Sequence, residues 1–361
     1  MSTHLIADIR LQQVAVPFGT VLRTSTSNFD AAYLLLADVT TDGGITGIGW
    51  TFGFSRVHLA ALDQLAQHVV PAVIGRSAVA VQARWADMRN ALERPGVVGS
   101  GAMAMAAIDI ALWDVLGQVA GLPVATLLGG HRTQVEAYDS FGLWADMSLD
   151  ELAADARRVV GTGAQALKLR VGGRPLSDDV ARVAAVRAAI GEGASLMLDA
   201  NSAWTPKQAV AAAEAFAPSD ITWLEDPLHG RHRAEMADHR QRFSMPVCGG
   251  EDVYLADGAD LAAALPFDVA MLDVFRTGGI TGFVRAATAL ALRGVAVTPH
   301  MDTPTGLHLV GGLDNGVWVE YLGWYRQVLR GLPELSGPSL TVPDLPGLGF
   351  EWADDIDRYA V

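Results

Sequence analysis

Short apolar runs that stop at an acidic residue recur along the second half of this chain. Asp199 follows SLML, Glu225 follows ITWL and Glu251 follows PVCGG, at successive intervals of 26 residues. One interval fits a β-strand plus a helix, so the pattern predicts consecutive β/α units with parallel strands. Because the carboxyl ends of such strands lie at one edge of a barrel, the three acids are expected to converge there.

Eight strand-like segments follow one another from about Val135, with Ala- and Leu-rich helical stretches between most of them. They are VEAYDS, ALKLR, SLMLD, ITWLE, PVCGGE, DVAMLD, VAVTPH and VWVE. Eight strands joined by right-handed crossovers predict a closed barrel. We therefore assign residues 131–320 to a catalytic (β/α)8 barrel of the TIM type, modified by its neighbouring domain.

The first part of the chain has a different pattern. Residues 5–18 and 32–50 are strand-like, and the turn signal Asp42-Gly43-Gly44 predicts an antiparallel hairpin within the second. Helical spacing follows at 56–75, 78–94 and 100–119. The Pro- and Gly-rich end of the chain is expected to pack back on this region. The overall prediction is an α/β protein with an α+β capping domain at 1–130, completed by 321–361.

Composition and charge limit the partners. The formal net charge of -14 would repel nucleic acid and anionic membranes, so an acidic substrate would need a local positive site. The first residues lack the basic start and apolar core of a secretion signal, which favours a cytoplasmic protein. The single cysteine, Cys248, falls in an apolar strand and is expected to be an inert core residue.

Charged residues stand at the ends of the other predicted barrel strands as well. Lys168 and Arg170 are two residues apart on one strand, so both side chains point the same way, towards the three acids. Asp273, His300 and Glu320 end the last three strands. An aspartate beside a histidine can fix its tautomer and raise its basicity, which prepares a general acid/base. Three oxygen ligands at the mouth suit a hard cation such as Mg²⁺.

Seven motifs together resemble the enolase superfamily, mandelate racemase subgroup, over the whole chain. The motifs are Lys168-Leu169-Arg170, LDAN at 198–201, WLEDP at 223–227, GGED at 249–252, LDVFRTGGIT at 272–281, TPH at 298–300 and VWVE at 317–320. Enzymes of this superfamily use a lysine or histidine base with Mg²⁺. The resemblance also implies homo-oligomers, with octamers frequent in this subgroup.

The resemblance implies a role for each of these residues. Asp199, Glu225 and Glu251 would bind Mg²⁺, and Asn201 would lie near the metal and the substrate. Asp273 and His300 would form one acid/base arm.

Two further residues would bind the substrate carboxylate. Lys168 would help to neutralise it, and Glu320 would donate a hydrogen bond to it, which requires that Glu320 be protonated through burial. The family's usual motif is K-x-K, whereas Arg170 holds the position of its second lysine. Arginine is a very poor base because its guanidinium stays charged.

This departure from the family pattern favours one reaction. Without a second base, one arm can remove an α-proton and then protonate a departing hydroxyl, so the sequence favours dehydration over racemisation. The expected substrate is a sugar acid, an aldonate or aldarate, which would become a 2-keto-3-deoxy acid. The alternative is a racemase or epimerase of a 2-hydroxy acid.

Several other segments of the sequence allow alternative interpretations. Residues 23–28 are either a hydroxyl-reading loop of the cap or an ordinary solvated loop, and residues 50–54 form a second, more apolar candidate loop. RTGGITG at 276–282 is interpreted as a β/α turn rather than a phosphate loop. His229 and His232 lack further zinc ligands nearby. The hypothesis of a zinc hydrolase is therefore much weaker than that of a Mg²⁺ enzyme. A non-enzymatic barrel would require a vestigial metal site.

Overall fold

An antiparallel sheet of three strands begins the fold. The computed structural model describes residues 4–254 and 266–361. The strands are β1 (Ile6–Arg23), β2 (Asn28–Thr41) and β3 (Thr46–Gly53), in that order. The hairpin between β2 and β3 turns at residues 42–45, as the sequence predicted. β1 runs five residues further than predicted, past a register shift between Pro17 and Leu22.

Helices cover this sheet. They are α1 (Arg56–Val73), α2 (Val81–Ala91), α3 (Ser100–Ala120) and the short α4 (Val124–Leu127). α3 approaches β3 so closely that a Cβ on Gly49 would lie 2.1 Å from the carbonyl oxygen of Ala107. α3 is the only described helix that is long and apolar enough to cross a membrane, and most of it is buried within the fold, as in a core helix. We refer to β1–β3 and α1–α4 as the cap.

Eight parallel strands form the barrel, and each matches a predicted segment. They are β4 (Gln134–Asp139), β5 (Ala166–Arg170), β6 (Ser195–Asp199), β7 (Ile221–Glu225), β8 (Val247–Gly249), β9 (Val269–Asp273), β10 (Ala296–His300) and β11 (Trp318–Tyr321). Neighbours pair from β4 through β10, and β11 pairs with β4. The barrel closes between β10 and β11, where Val317 N donates to Val297 O at 3.0 Å. The predicted barrel with an α+β cap is confirmed.

Two of the described outer helices begin at a capping box. The outer helices are α5 (Leu149–Gly161), α6 (Leu176–Ile190), α7 (Pro206–Phe216), α8 (Arg233–Arg242), α9 (Ile280–Ala291) and α10 (Thr303–Gly312). At the start of α5, Ser148 and Glu151 form a reciprocal capping box, and Thr205 and Gln208 do the same for α7. These two caps fix the points at which the chain enters α5 and α7 from the loops that follow β4 and β6.

A layer of side chains fills the barrel below its mouth. It comprises Tyr138, Ala166, Met197, Trp223, Cys248 and Met271. Cys248 is fully buried there, and burial raises the pKa of its thiol well above the usual value. The expectation of an inert core cysteine is therefore consistent with its surroundings.

The C-terminal segment contacts both the barrel and the cap. It contains β12 (Leu329–Arg330), β13 (Ser339–Thr341) and β14 (Glu351–Trp352). β13 pairs antiparallel with β4 of the barrel. Further along, Trp352 Nε1 donates to Asp38 Oδ1 of the cap at 2.7 Å. The segment thus binds the two parts to each other.

Candidate active site

A cavity of about 570 Å³ lies between the cap and the carboxyl ends of the barrel strands. Seven of the nine residues predicted for the site line it: Lys168, Arg170, Asp199, Asn201, Glu251, His300 and Glu320. The other two, Glu225 and Asp273, are buried behind this lining. Strand order therefore brings the predicted residues to one place.

Lys168 is at the centre of one half of the site. Its ammonium nitrogen lies 2.9 Å from Glu225 Oε1, 2.8 Å from Glu320 Oε1 and 3.6 Å from Asp199 Oδ2. The side chain is only 2% exposed. Burial alone would lower the pKa of Lys168, but these carboxylates raise it, so its charge is fixed. The lysine is a permanent cation, as a carboxylate-binding group must be.

Negative charge exceeds the charge that Lys168 can neutralise. Asp199 and Glu225 are paired across neighbouring strands. Burial, followed by the nearby Asp199, raises the pKa of Glu225 to about 8. Burial also raises the pKa of Asp199. Asn201 donates to both oxygens of Asp199, while its own Oδ1 is buried without a hydrogen-bond partner.

His300 is held between two carboxylates in the other half. Its Nδ1 lies 2.9 Å from Asp273 Oδ2, and its Nε2 lies 2.7 Å from Glu251 Oε2. Asp273 is itself fixed, because its Oδ1 accepts from the backbone N–H groups of Phe275 and Arg276. Burial would lower the pKa of His300, but Glu251 and Asp273 raise it well above the usual value.

The three predicted metal ligands are on neighbouring strands but not gathered round one point. Glu251 turns towards His300, and among the described residues no group of three acids or histidines is arranged to hold an ion. The donor set nevertheless fits Mg²⁺. It offers carboxylate oxygens only, and the neighbouring Asn201 Oδ1 is buried without a partner. Burial and then the nearby charge of Asp199 raise the pKa of Glu225, and a bound cation would offset both effects. Asp199, Glu225 and a reoriented Glu251 could therefore hold the cation.

The expected protonation of Glu320 is wrong for this structure. Burial would raise the pKa of Glu320, but Lys168 and His300 lower it to about 2. The backbone N–H of Met301 also donates to its Oε2 at 2.7 Å. Glu320 is thus an ionised acceptor, and a substrate oxygen would meet Lys168 rather than a proton on Glu320.

Arg170 does not face the three acids as a partner. Its Nη1 donates to Gly142 O at 2.7 Å, and its Nη2 donates to Ser140 O at 2.8 Å and to Ser140 Oγ at 3.0 Å. The guanidinium lies 3.8 Å above the ring centre of Trp144, and Nε is buried without a partner. Hydrogen bonds to Ser140 and Gly142 therefore hold Arg170 in place, and its Nε–H group has no acceptor. Its guanidinium stays charged, so it is not a proton acceptor.

Two further residues of the site, Arg276 and Asp226, were not predicted from the sequence. Arg276 Nη1 donates to Glu251 O at 2.6 Å, and its guanidinium also approaches the Glu251 and Asp273 carboxylates, at 3.5 and 3.7 Å. Asp226 is 7% exposed, and burial, followed by Glu251, raises its pKa well above the usual value. The available signal was their place in the sequence, because Asp226 directly follows Glu225 and Arg276 is three residues after Asp273.

The two candidate cap loops, residues 23–28 and 50–54, differ in structure. Ser25 Oγ donates to Ala200 O at 2.8 Å, and the rest of residues 24–28 line the cavity. Most of residues 50–54 belong to β3 rather than to a loop, because the β2 pairing extends through Gly53. From this stretch, Phe52 and Phe54 line the cavity. His229 is at the cavity rim, and His232 pairs with Glu235.

Comparison with family models gives two matches in this chain. The model described as mandelate racemase / muconate lactonizing enzyme, N-terminal domain, matches residues 6–129. The model described as enolase C-terminal domain-like matches residues 151–356. Together the matches cover most of the cap, most of the barrel and most of the C-terminal segment.

Similar proteins catalyse more than one reaction. An L-talarate/galactarate dehydratase of Salmonella typhimurium is 26% identical over 327 residues, covering 90% of this chain and 82% of that protein. An L-Ala-D/L-Glu epimerase of Bacillus subtilis is 27% identical over 362 residues, covering 96% of both. The structure of an L-talarate dehydratase from Polaromonas sp. JS666, complexed with Mg and L-glucarate, superposes with a TM-score of 0.91 at 28% identity, covering 99% of this chain and 97% of that one.

Proposed function

Because the chain belongs to the mandelate racemase/muconate lactonizing enzyme family of enolase-like proteins, we propose that it is a Mg²⁺-dependent sugar acid dehydratase. The substrate would be an aldonate or aldarate and the product a 2-keto-3-deoxy acid. The observation that carries this proposal is the asymmetry of the site. Asp273 and His300 form a proton-transfer pair at one side, whereas the position of a second base holds Arg170, bonded to Ser140 and Gly142.

Removal of an α-proton is difficult because negative charge accumulates on the substrate carboxylate. Asp199, Glu225 and Glu251 would hold Mg²⁺, which would supply positive charge to stabilise that carboxylate as the proton leaves. Lys168 adds a second fixed cation, 2.8 Å from Glu320 and 2.9 Å from Glu225. Because Lys168 is buried, its interaction with the developing charge is only weakly screened by water.

His300 performs both proton transfers. Asp273 accepts from Nδ1–H, so Nε2 is the nitrogen available to the substrate. The α C–H bond breaks, its proton passes to Nε2, and the electron pair moves into the carboxylate to give an enediolate. The C–O bond on the adjacent carbon then breaks, His300 returns the proton to the departing oxygen, and water leaves. The resulting enol tautomerises to the 2-keto acid.

Glu251 must move before this reaction can start. Its Oε2 lies 2.7 Å from His300 Nε2, the nitrogen that is to accept the α-proton, and it raises the pKa of His300, which keeps that nitrogen protonated. Turning Glu251 towards Asp199 and Glu225 would remove this partner, so that Nε2 can release its proton to solvent and act as the base. The same turn would complete the set of oxygen donors. The same movement therefore prepares both halves of the site.

The test is a screen of aldonic and aldaric acids in D₂O with Mg²⁺, following 2-keto acid formation and α-proton exchange together by NMR. We expect keto product that depends on Mg²⁺ and falls by about 100-fold or more in His300→Asn. His68→Asn, which removes an exposed histidine on α1, is the matched control and should keep full activity.

Exchange or inversion without keto product would overturn the dehydratase proposal. It would favour the epimerase alternative, for which the Bacillus subtilis relative is the precedent. No reaction with any acid would contradict the substrate class.

A further inference from the structure

The two sides of the cavity differ sharply in charge. From the barrel side, ten ionisable residues line it: Lys168, Arg170, Asp199, Asp226, His229, Glu251, Asp252, Arg276, His300 and Glu320. From the cap side, no described lining residue is ionisable: Phe18, Leu22, Thr24, Thr26, Ser27, Asn28, Phe29, Phe52 and Phe54. Every described cation available to a ligand in this cavity is thus on the barrel side.

Cations of the cap near the cavity point elsewhere. Arg23 precedes the lining loop but pairs with Asp146 at 3.2 Å, with both side chains half exposed. Arg56 lies over the ring of Tyr33, 6.0 Å from its centre. Neither of them lines the cavity. A second carboxylate that reached the cap side would find no positive partner among the described residues.

Aromatic side chains form one wall of the cavity. Phe18, Phe141, Trp144 and Trp324, which we call the aromatic wall, come from the cap, from the loop after β4 and from the segment after β11. Phe18 lies edge-on to Phe141 at 5.7 Å and to Trp324 at 6.0 Å, and Phe141 lies edge-on to Trp144 at 6.4 Å. The guanidinium of Arg170 stacks on Trp144, with its Nη atoms bonded to Ser140 and Gly142. The remainder of the wall, Phe18, Phe141 and Trp324, favours C–H groups and disfavours a desolvated anion.

Neutral hydrogen-bonding groups complete the cap side. Thr24, Thr26, Ser27 and Asn28 can exchange hydrogen bonds with hydroxyl groups, which need no counter-charge. The cap side therefore offers a surface for a polyol chain that ends in an uncharged group. It does not offer a surface for a second acid.

We infer that the substrate is a monocarboxylic sugar acid, bound with its carboxylate at the barrel side and with an uncharged terminal CH₃ or CH₂OH group against the aromatic wall. The inference rests on the proposed dehydratase function and selects the aldonate over the aldarate. A dicarboxylic acid would have to bury its second carboxylate unpaired, which is costly.

The experiment compares acids that differ only at the far end. For each stereochemical series, kcat/KM with Mg²⁺ is measured for the aldarate, the aldonate and the 6-deoxyaldonate. We expect the aldarate to be at least about 100-fold poorer than the better of the other two, because a site rejects a group that it leaves buried and unpaired. An aldarate that is processed as well as or better than its aldonate would overturn the inference and leave the dehydratase intact.

A variant tests the charge argument directly. Phe18→Arg should raise the ratio of aldarate to aldonate kcat/KM by at least about 10-fold, because it adds a cation to the wall. The matched control, Phe18→Leu, should leave that ratio within about 3-fold even if both rates fall. If thermal melting shows that Phe18→Arg does not fold, Phe141→Lys provides the same test from the other side of the wall. An unchanged ratio in a folded cationic variant would contradict the inference, whereas exchange or inversion without keto product by the wild-type enzyme would overturn the dehydratase proposal itself.

Discussion

Arg276 is the residue that joins the two halves of the site. It donates to the backbone oxygen of Glu251, and it lies 3.5 Å from the Glu251 carboxylate and 3.7 Å from that of Asp273. Its guanidinium also packs over the ring of Phe54 from the cap, 5.2 Å from the ring centre. One buried cation thus orients a proposed metal ligand, the partner of His300 and a wall of the cavity.

We predict that Arg276→Met lowers kcat by about 10- to 100-fold at saturating Mg²⁺, as expected for a residue that orients ligands and catalytic groups. Methionine keeps the apolar contact with Phe54 but leaves Glu251 without its donor. KM for the acid should change by less than about 3-fold, because Arg276 is paired within the protein. Steady-state kinetics checks this, with Arg276→Lys as the charge-retaining control. A kcat within about 2-fold of wild type would show that Arg276 does not position the site.

For individual residues, the direction of a side chain could be predicted from the sequence, whereas its contacts and its protonation could not. Strand alternation was enough to direct Lys168 and Arg170 to the same cavity. It could not reveal that Ser140 and Gly142 hold Arg170, or that Lys168 keeps Glu320 ionised. Those facts depend on which neighbours meet across strands, and on a balance between burial and charge that spacing does not contain.

At the scale of elements, the turn between β9 and α9 anchors the barrel to the cap. Trp85 of α2 donates to Gly278 O at 2.9 Å, and Asp109 of α3 accepts from Thr281 N and Thr281 Oγ1 at 2.9 and 2.7 Å. Gly279 is required there, because a Cβ would lie 2.3 Å from Asp109 Oδ2. The same turn begins at Asp273, so the cap helices help to place the partner of His300.

We predict that Asp109→Ala destabilises the protein by about 2–4 kcal/mol, because it leaves a buried N–H and a buried hydroxyl without acceptors. Asp109→Asn should cost less. Burial already raises the pKa of Asp109 to about 7, and an amide can still pair with Thr281. Thermal melting of the two variants at one pH checks the order. Equal losses would indicate that packing volume, not hydrogen bonding, sets the contribution of Asp109.

Elements were the most predictable level, for a physical reason. A barrel strand is buried on both faces and ends at a polar mouth, so β6, β7 and β9 each appear in the sequence as an apolar run closed by an acid. β13 gave no such signal. It has three residues and pairs with residues 134–136 of β4, whose pairing with β5 is confined to Asp139, and such a tertiary contact leaves no local pattern.

On the scale of the whole molecule, His308 is a junction between three parts of the chain. It is fully buried on α10, where its Nδ1 accepts from Ala125 N of α4 at 3.2 Å. Its Nε2 lies 2.9 Å from Leu348 O in the C-terminal segment and donates to it. Both bonds require the neutral imidazole with its proton on Nε2, and burial lowers the pKa of His308 to about 4.

We predict that the protein loses stability as the pH falls below about 6.5, in part through His308. Since the pKa is lower in the folded than in the unfolded state, the unfolded chain takes up the proton first. The His308 contribution is complete above about pH 6.5 and lost as the pH falls towards about 4, with a total of about 3 kcal/mol. Melting curves at pH 5, 6 and 7 should therefore fall less steeply with pH in His308→Gln, which can keep both hydrogen bonds. Parallel pH profiles for the two proteins would exclude His308 as the cause.

The docking of the cap on the turn after β9 has a consequence for how such enzymes can be altered. The residues that fix the cap to this turn, Trp85 and Asp109, belong to its helices, whereas the residues that meet the substrate cavity, such as Phe18 and Phe52, belong to its sheet. At this turn, attachment is therefore separate from recognition. Exchanging sheet segments with a related enzyme should transfer substrate preference while leaving the proton-transfer geometry in place, provided that the helical face is kept.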